Sequence, residues 1–420
     1  MTLHNHLVLH SFITDQFGGD FAGLIDALRD ADDGTRPDGQ SSCFGVLESR
    51  SSRLKIDLAT LRRYDQNVLA HEAAIGRNRP GFRLKYFQRL AALYAERFLD
   101  RLKRDPAWLL LDLDDYRRAH FPDLPQYAPG DLRKLAFWMA TGAGKTLVMH
   151  VNLRQFLDYR PFAPQNILLL TPTETLSRQH TEELLLSGID VVPASSTGAG
   201  LGGVRVIEVT KLYVENPAAR GRKGGVSLPT ADFEGPNLLL VDEGHKGSAT
   251  KADQNTERAW RDIRVALAGD TGFTFEYSAT FAQVTEDNDE LFREYSRAIL
   301  FEFAYARFHS DGYGKDYEVI NLKEESLYSD RLLMAGLLTL YEQRRVYEDR
   351  GTELEDYNSE PPLMIFVGAK VTGGSAFLAG FSPNQPGRRQ KSPRCLLERA
   401  ICPVPMAETC SPTNTPTSRN

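Results

Sequence analysis

Cysteine is scarce. Only four of the 420 residues are cysteines (Cys43, Cys395, Cys402 and Cys410), and no two are spaced as CxxC. That excludes a cysteine-built zinc module and a disulfide framework. Long apolar runs are also missing. The longest, near Leu332 to Tyr341, falls well short of the roughly 20 residues that span a bilayer. The opening stretch, MTLHNHLVLHSF, has neither a basic n-region nor an apolar core, so it does not read as a signal peptide. A cytoplasmic location is the default expectation, and no membrane partner is expected. Nor is there an excess of positive charge: the formal net charge of −6 speaks against non-specific coating of nucleic acid, while allowing a local basic groove on an acidic body. No internal repeat is visible. With 41% hydrophobic and 25% charged residues, the chain reads as an ordinary globular protein of about two or three domains.

What is present changes character along the chain. Residues 1–80 mix short apolar patches with polar breaks such as GTRPDGQSS (Gly34 to Ser42), which predicts an accessory helical region with a loop. From Leu84 the residues Phe87, Leu90, Ala91, Tyr94, Phe98 and Leu102 recur at three- and four-residue steps, predicting one helix with an apolar, core-facing stripe. Five short apolar runs follow: Leu135 to Met139, Ile167 to Leu170, Val204 to Val209, Leu238 to Val241 and Phe273 to Tyr277. Runs of this length without strict alternation suit strands buried on both faces of a parallel sheet. A helical stretch then leads to a last apolar run, Leu363 to Val367. Beyond Thr372 the chain is rich in Pro, Ser, Thr and Arg and is predicted to be disordered, because it buries too little apolar surface to offset its ordering entropy.

Chemistry is concentrated just after the strands, where open α/β sheets hold ligands. MATGAGKT (Met139 to Thr146) sits between a predicted strand and a predicted helix. There the backbone N–H groups of Thr141, Gly142, Ala143 and Gly144 can converge on phosphate oxygens, and the helix N-terminus adds partial positive charge. Lys145 is expected at the β- and γ-phosphates of ATP and the Thr146 hydroxyl on Mg²⁺. The pattern's first glycine is replaced by Met139. LLLVDEGH (Leu238 to His245) ends a second strand in Asp242, a candidate Mg²⁺ ligand, and Glu243, a candidate to orient or deprotonate the attacking water. FEYSAT (Phe275 to Thr280) ends a third in Ser278 and Thr280.

In order, MATGAGKT, TPTETLSRQ (Thr171 to Gln179), VIEVTKL (Val206 to Leu212), VDEGH and SAT resemble motifs I, Ia, Ic, II and III of superfamily 2 DEAD/DEAH-box helicases. They are most similar to the Res-subunit-like group of type III restriction enzymes. The resemblance runs from about Leu84 to Thr372 and implies an ATP- and Mg²⁺-dependent motor on nucleic acid. DNA is the favoured track, RNA is not excluded, and restriction or modification subunits are the implied partners. It makes His245, Ser278 and Thr280 the couplers of nucleotide state to the bound strand. It assigns Thr171, Thr173 and Thr210 to nucleic-acid phosphates through hydroxyl or backbone N–H contacts, and Gln88 to adenine, with a buried glutamine capping a helix as the equal alternative.

The implied fold class is α/β: a RecA-like P-loop NTPase domain with a parallel sheet and helices on both faces at 81–322, after the helical region 1–80. The start of an incomplete second RecA-like domain is expected at 323–372 and the disordered tail at 373–420. A QxxGRxxR motif is missing after Thr372, where QPGRRQ (Gln385 to Gln390) has no supporting strand or helix. The expectation is therefore a truncated or frame-shifted product of a helicase gene, with a nucleotide-binding remnant as the alternative function. No PD-ExK motif is present, so DNA cleavage is not expected. His4, His6 and His10 would share a face of an N-terminal strand, which reads as a surface strand, with metal binding as the alternative. Arg62–Arg63 and Arg220–Arg222–Lys223 are candidate phosphate contacts.

Overall fold

A computed structural model describes residues 2–31, 33–194, 202–214, 228–243, 254–286, 288–314, 325–351 and 361–364. The chain divides into two units, Met1–Asp316 and Tyr317–Asn420. The first opens on a 3₁₀ turn at Leu3–His6, followed by α1 (Val8–Gln16), α2 (Phe21–Arg29), α3 (Ser42–Ser49) and α4 (Leu58–Ile75). The stripe expected from Leu84 onward lies on α5 (Tyr86–Arg104), and α6 (Pro106–His120) completes the helical run. Pro106 starts α6 where a missing N–H costs nothing, and the Asp105 carboxylate caps it by accepting from Trp108 N.

The sheet follows. In chain order it contains β1 (Lys134–Met139), α7 (Lys145–Tyr159), β2 (Asn166–Thr171), α8 (Glu174–Leu186), β3 (Val191–Val192) and β4 (Val204–Glu208). A small ladder of β5 (Leu212–Tyr213) and β6 (Leu228–Pro229) lies apart. Then come β7 (Asn237–Asp242), α9 (Gln254–Ala268), β8 (Phe273–Ser278), α10 (Phe281–Thr285), α11 (Asp289–Ala298), β9 (Ile299–Phe303) and α12 (Tyr305–Ser310). Seven strands pair in parallel in the order β3-β4-β2-β7-β8-β1-β9. All five expected strands are present; β3 and β9 were not expected.

The continuous apolar runs have a physical reason. On β2 and β7, successive side chains enter different cores: Ile167, Leu169, Leu238 and Leu240 join one, while Leu168, Leu170, Leu239 and Val241 join the other. The second core is closed by Trp260, Ile263 and Leu267 of α9, and the first by α5, α7 and α8. Helices thus cover both faces of a parallel α/β sheet.

Residues 1–80 are not a separate body. Their apolar side chains belong to the same core as β1 and β9, and the first unit runs unbroken to Asp316. The boundary drawn at 80/81 from polar breaks therefore corresponds to no break in packing. The N-terminal histidines are helical rather than on a strand. His10 Nδ1 donates to Leu300 O of β9 at 3.2 Å, His6 Nδ1 donates to Thr2 O at 2.9 Å, and His4 lies 3.7 Å from Glu302. No group of three potential metal ligands occurs among the described residues. Arg63 is bonded to Asp100 at 2.9 Å, and Arg62 lies over the Phe44 ring.

In the second unit the described elements are α13 (Glu325–Asp349) and the segment 361–364, where Leu363 and Met364 have no regular structure. The rest of the Leu363 to Val367 run, His245, the Arg220–Arg222–Lys223 cluster, QPGRRQ and the 373–420 tail lie outside the described residues. Among the described residues no helix is long and apolar enough to cross a membrane.

Candidate nucleotide and nucleic-acid site

β1 ends at Met139, and its side chain is fully buried in the sheet core. This explains the departure from glycine: the position is the last strand residue, pointing inward rather than at the loop. Ala140 N donates to Phe303 O at 3.0 Å, which ties the loop's first residue to β9. Gly142 and Gly144 then take left-handed φ values of 85° and 75°, which glycine adopts without a Cβ clash. Gly144 is the residue before α7, so the first amides of that helix face the loop with no intrahelical acceptor. Lys145 Nζ rests 3.5 Å from Ala140 O, folded back over the turn.

Gln88 braces this loop. Its Nε2 donates to Ala143 O at 2.9 Å, and its Oε1 accepts from Lys85 N at 2.9 Å. A Cβ on Gly144 would stand 2.3 Å from that Nε2. Both ends of the buried carboxamide are therefore used inside the protein. These are the bonds of the alternative reading, a buried glutamine that caps a helix. A glutamine at the third position of a helix is well placed to reach back to the cap N–H, and here its other end reaches the loop.

Two strands along, β7 ends in Asp242, and β8 lies between it and β1. With neighbouring strands about 4.8 Å apart, the ends of β1 and β7 stand roughly 10 Å from each other. Asp242 is 8% exposed, and its Oδ2 accepts from His180 Nε2 of α8 at 2.9 Å. Glu243, directly after it, has φ 57°, a left-handed conformation that is uncommon outside glycine and that turns the chain sharply off the strand. Thr146 and Asp242 offer one hydroxyl and one carboxylate. That hard-oxygen set is too small to cage a metal alone, but it fits Mg²⁺ carried in on nucleotide phosphates.

Between these ends, Ser278 closes β8 opposite Trp138. Trp138 Nε1 donates to Ala279 O at 3.0 Å, and Thr280 N donates to Ser278 Oγ at 3.0 Å. The motifs on β1, β8 and β7 thus share one edge of the sheet, on adjacent strands.

Farther along the same edge are the threonines read as phosphate contacts. Thr173 is exposed and caps α8, accepting from Leu176 N at 3.3 Å. Thr210 is exposed after β4 and donates to Glu208 Oε1 at 2.6 Å. Thr171 differs from the expectation: it is buried, and its hydroxyl is bonded to Ser177 Oγ at 2.6 Å, so it braces the turn rather than meeting solvent.

His180 was not singled out from the sequence, although it lies one residue past the TPTETLSRQ run. A signal existed. Thr173, Ser177, His180 and Leu184 are spaced four, three and four apart, on one helix face, and His180 and Leu184 are both buried.

Residues 97–283 match the family model described as type III restriction enzyme, res subunit. No curated protein matches the chain.

Proposed function

We propose, from the match of residues 97–283 to the res-subunit family of type III restriction enzymes, that this chain carries the ATP-binding half of a superfamily 2 nucleic-acid translocase or helicase. DNA is the track that the resemblance favours, and a restriction or defence complex is the corresponding setting. The observation that carries the reading is that three of the motifs sit at the ends of adjacent strands, β1, β8 and β7.

The loop amides from Thr141 to Gly144, with the first amides of α7, bind the phosphates, and Lys145 swings from Ala140 O to the β- and γ-phosphates. Thr146 and Asp242 would hold Mg²⁺, and the ion when bound would supply charge neutralisation at the phosphates. Glu243 orients the attacking water and takes its proton. Gln88 keeps the loop in shape rather than reading the base. Ser278, at the end of the strand between the other two motifs, and Thr280, just after it, couple the nucleotide site to the strand-binding side, together with His245. Thr173 and Thr210 position the nucleic-acid backbone, the kind of contact that fixes register without reading sequence.

The test is steady-state ATPase activity of the purified chain with and without single- and double-stranded DNA, beside Lys145→Ala. DNA-stimulated turnover that the variant loses supports the motor. Nucleotide binding without turnover in any condition supports the alternative reading, a nucleotide-binding remnant. Absence of lysine-dependent nucleotide binding sinks both.

A further inference from the structure

Every bond around the candidate site has a local purpose except one. His180 lies on α8, in the helix face that packs toward β2 and β4, where Leu184 is wholly buried. An apolar residue would fill that position better. A histidine there brings two polar ring nitrogens into a nearly dry interior, 4% exposed, and burying polar atoms is costly unless they are bonded. Only one of the two is. Nε2 donates to Asp242 Oδ2 at 2.9 Å, while Nδ1 is buried with no hydrogen-bond partner. The whole polar capacity of the side chain is thus directed at one carboxylate oxygen.

That oxygen belongs to the residue assigned to Mg²⁺. With Oδ2 held by His180, the carboxylate cannot rotate freely, and Oδ1 is the oxygen left for the metal or its water. Helix α8 also begins at the other candidate surface. Its cap, Thr173, is exposed. Ser177, one turn on, donates to Thr173 O at 3.2 Å and is bonded to Thr171 Oγ1 at 2.6 Å. His180 follows three residues later on the same face. A single helix therefore carries a threonine on the proposed nucleic-acid side and a histidine on the proposed metal ligand.

We propose that His180 is a positioning residue for Asp242, through which α8 sets the affinity of the site for the magnesium–nucleotide complex. The inference rests on the nucleotide reading above. Partners of this kind orient metal ligands, and their loss typically lowers metal affinity about 10–100-fold.

The experiment is equilibrium titration of the full chain with a fluorescent ADP analogue, in Mg²⁺ and in EDTA, for wild type, His180→Ala, His180→Gln and Lys145→Ala. In His180→Ala the Mg²⁺-dependent gain in affinity falls about tenfold or more, while affinity in EDTA changes less than about twofold. His180→Gln, whose amide N–H can replace Nε2–H, recovers most of that gain. In wild type the His180 ring nitrogen resonances, identified by their loss in the glutamine variant, shift on adding ADP with Mg²⁺ but not with EDTA. An unchanged Mg²⁺ gain in folded His180→Ala overturns the proposal, as do equal losses with and without Mg²⁺. Ring resonances indifferent to Mg²⁺ overturn it without recourse to the alanine variant. Wild type that binds no nucleotide overturns the functional reading itself, and this outcome is distinct from the others because Lys145→Ala then matches wild type.

Discussion

At the residue scale, Glu243 shows how the site departs from ordinary backbone chemistry. Its φ of 57° is reached by L-residues at a cost of roughly 1–2 kcal/mol, immediately after a buried strand and beside Asp242. Strain of this kind collects at functional positions. It also predicts an inversion. In regular elements alanine is more stabilising than glycine, but at position 243 Glu243→Gly is expected to be more stable than Glu243→Ala by about 1 kcal/mol. Both variants lose the carboxylate, and with it about 10²–10⁴ in turnover if Glu243 handles the water. Paired urea melts and ATPase assays measure the two effects separately. Alanine matching glycine in stability would show that the backbone there is relaxed.

At the element scale, β8 carries a buried charge that has nothing to do with nucleotide. Glu276 is 2% exposed. It is held by Lys134 of β1 at 2.9 Å, Arg264 of α9 at 3.1 Å and the Tyr295 hydroxyl of α11 at 2.8 Å. One carboxylate therefore joins a strand to the neighbouring strand and to two helices. Replacing it by leucine leaves the buried Arg264 and the half-buried Lys134 sharing fewer anions, and breaking such a cluster from one side typically costs about 3–5 kcal/mol. Glu276→Leu is expected to lower the unfolding free energy by that amount, seen as a lower urea midpoint with an unchanged m-value. A loss under about 1 kcal/mol would mean that Glu294, also beside Lys134, compensates.

At the scale of the whole first unit, the N-terminal segment and the sheet meet at His10. Burial pushes this histidine down to about 4, only partly opposed by nearby Glu302 and by its bond to Leu300 O. Because the folded value lies below the ordinary value of about 6.5, the unfolded chain takes up the proton first as pH falls. Stability from this group is therefore full above about pH 6.5 and declines as the pH drops toward 4, by on the order of 3 kcal/mol in all. His150, pushed down to about 3 by burial, acts in the same direction. His10→Gln, which cannot titrate but can still donate to Leu300 O, is expected to flatten part of the slope of unfolding free energy between pH 6.5 and 4. An unaltered slope would place the acid sensitivity elsewhere.

What could be read from the sequence was what is local. Short apolar runs announced five of the strands because each strand lies between two cores, and a helical stripe announced α5. The turn proposed for nucleotide was legible because a glycine turn between a strand and a helix makes its geometry from a few consecutive residues. Other features were settled by contacts between distant parts of the chain. The strand order that sets β8 between β1 and β7, the use of Gln88 on Ala143 O, the burial of Thr171 and the hold of His180 on Asp242 leave no periodicity behind. The same is true of residues 1–80. Their polar breaks look like a domain edge, yet Val8, Ile13 and Leu61 share a core with β1 and β9. Spacing along a chain reports which face a residue occupies, whereas what that face meets depends on how the rest of the chain folds back upon it.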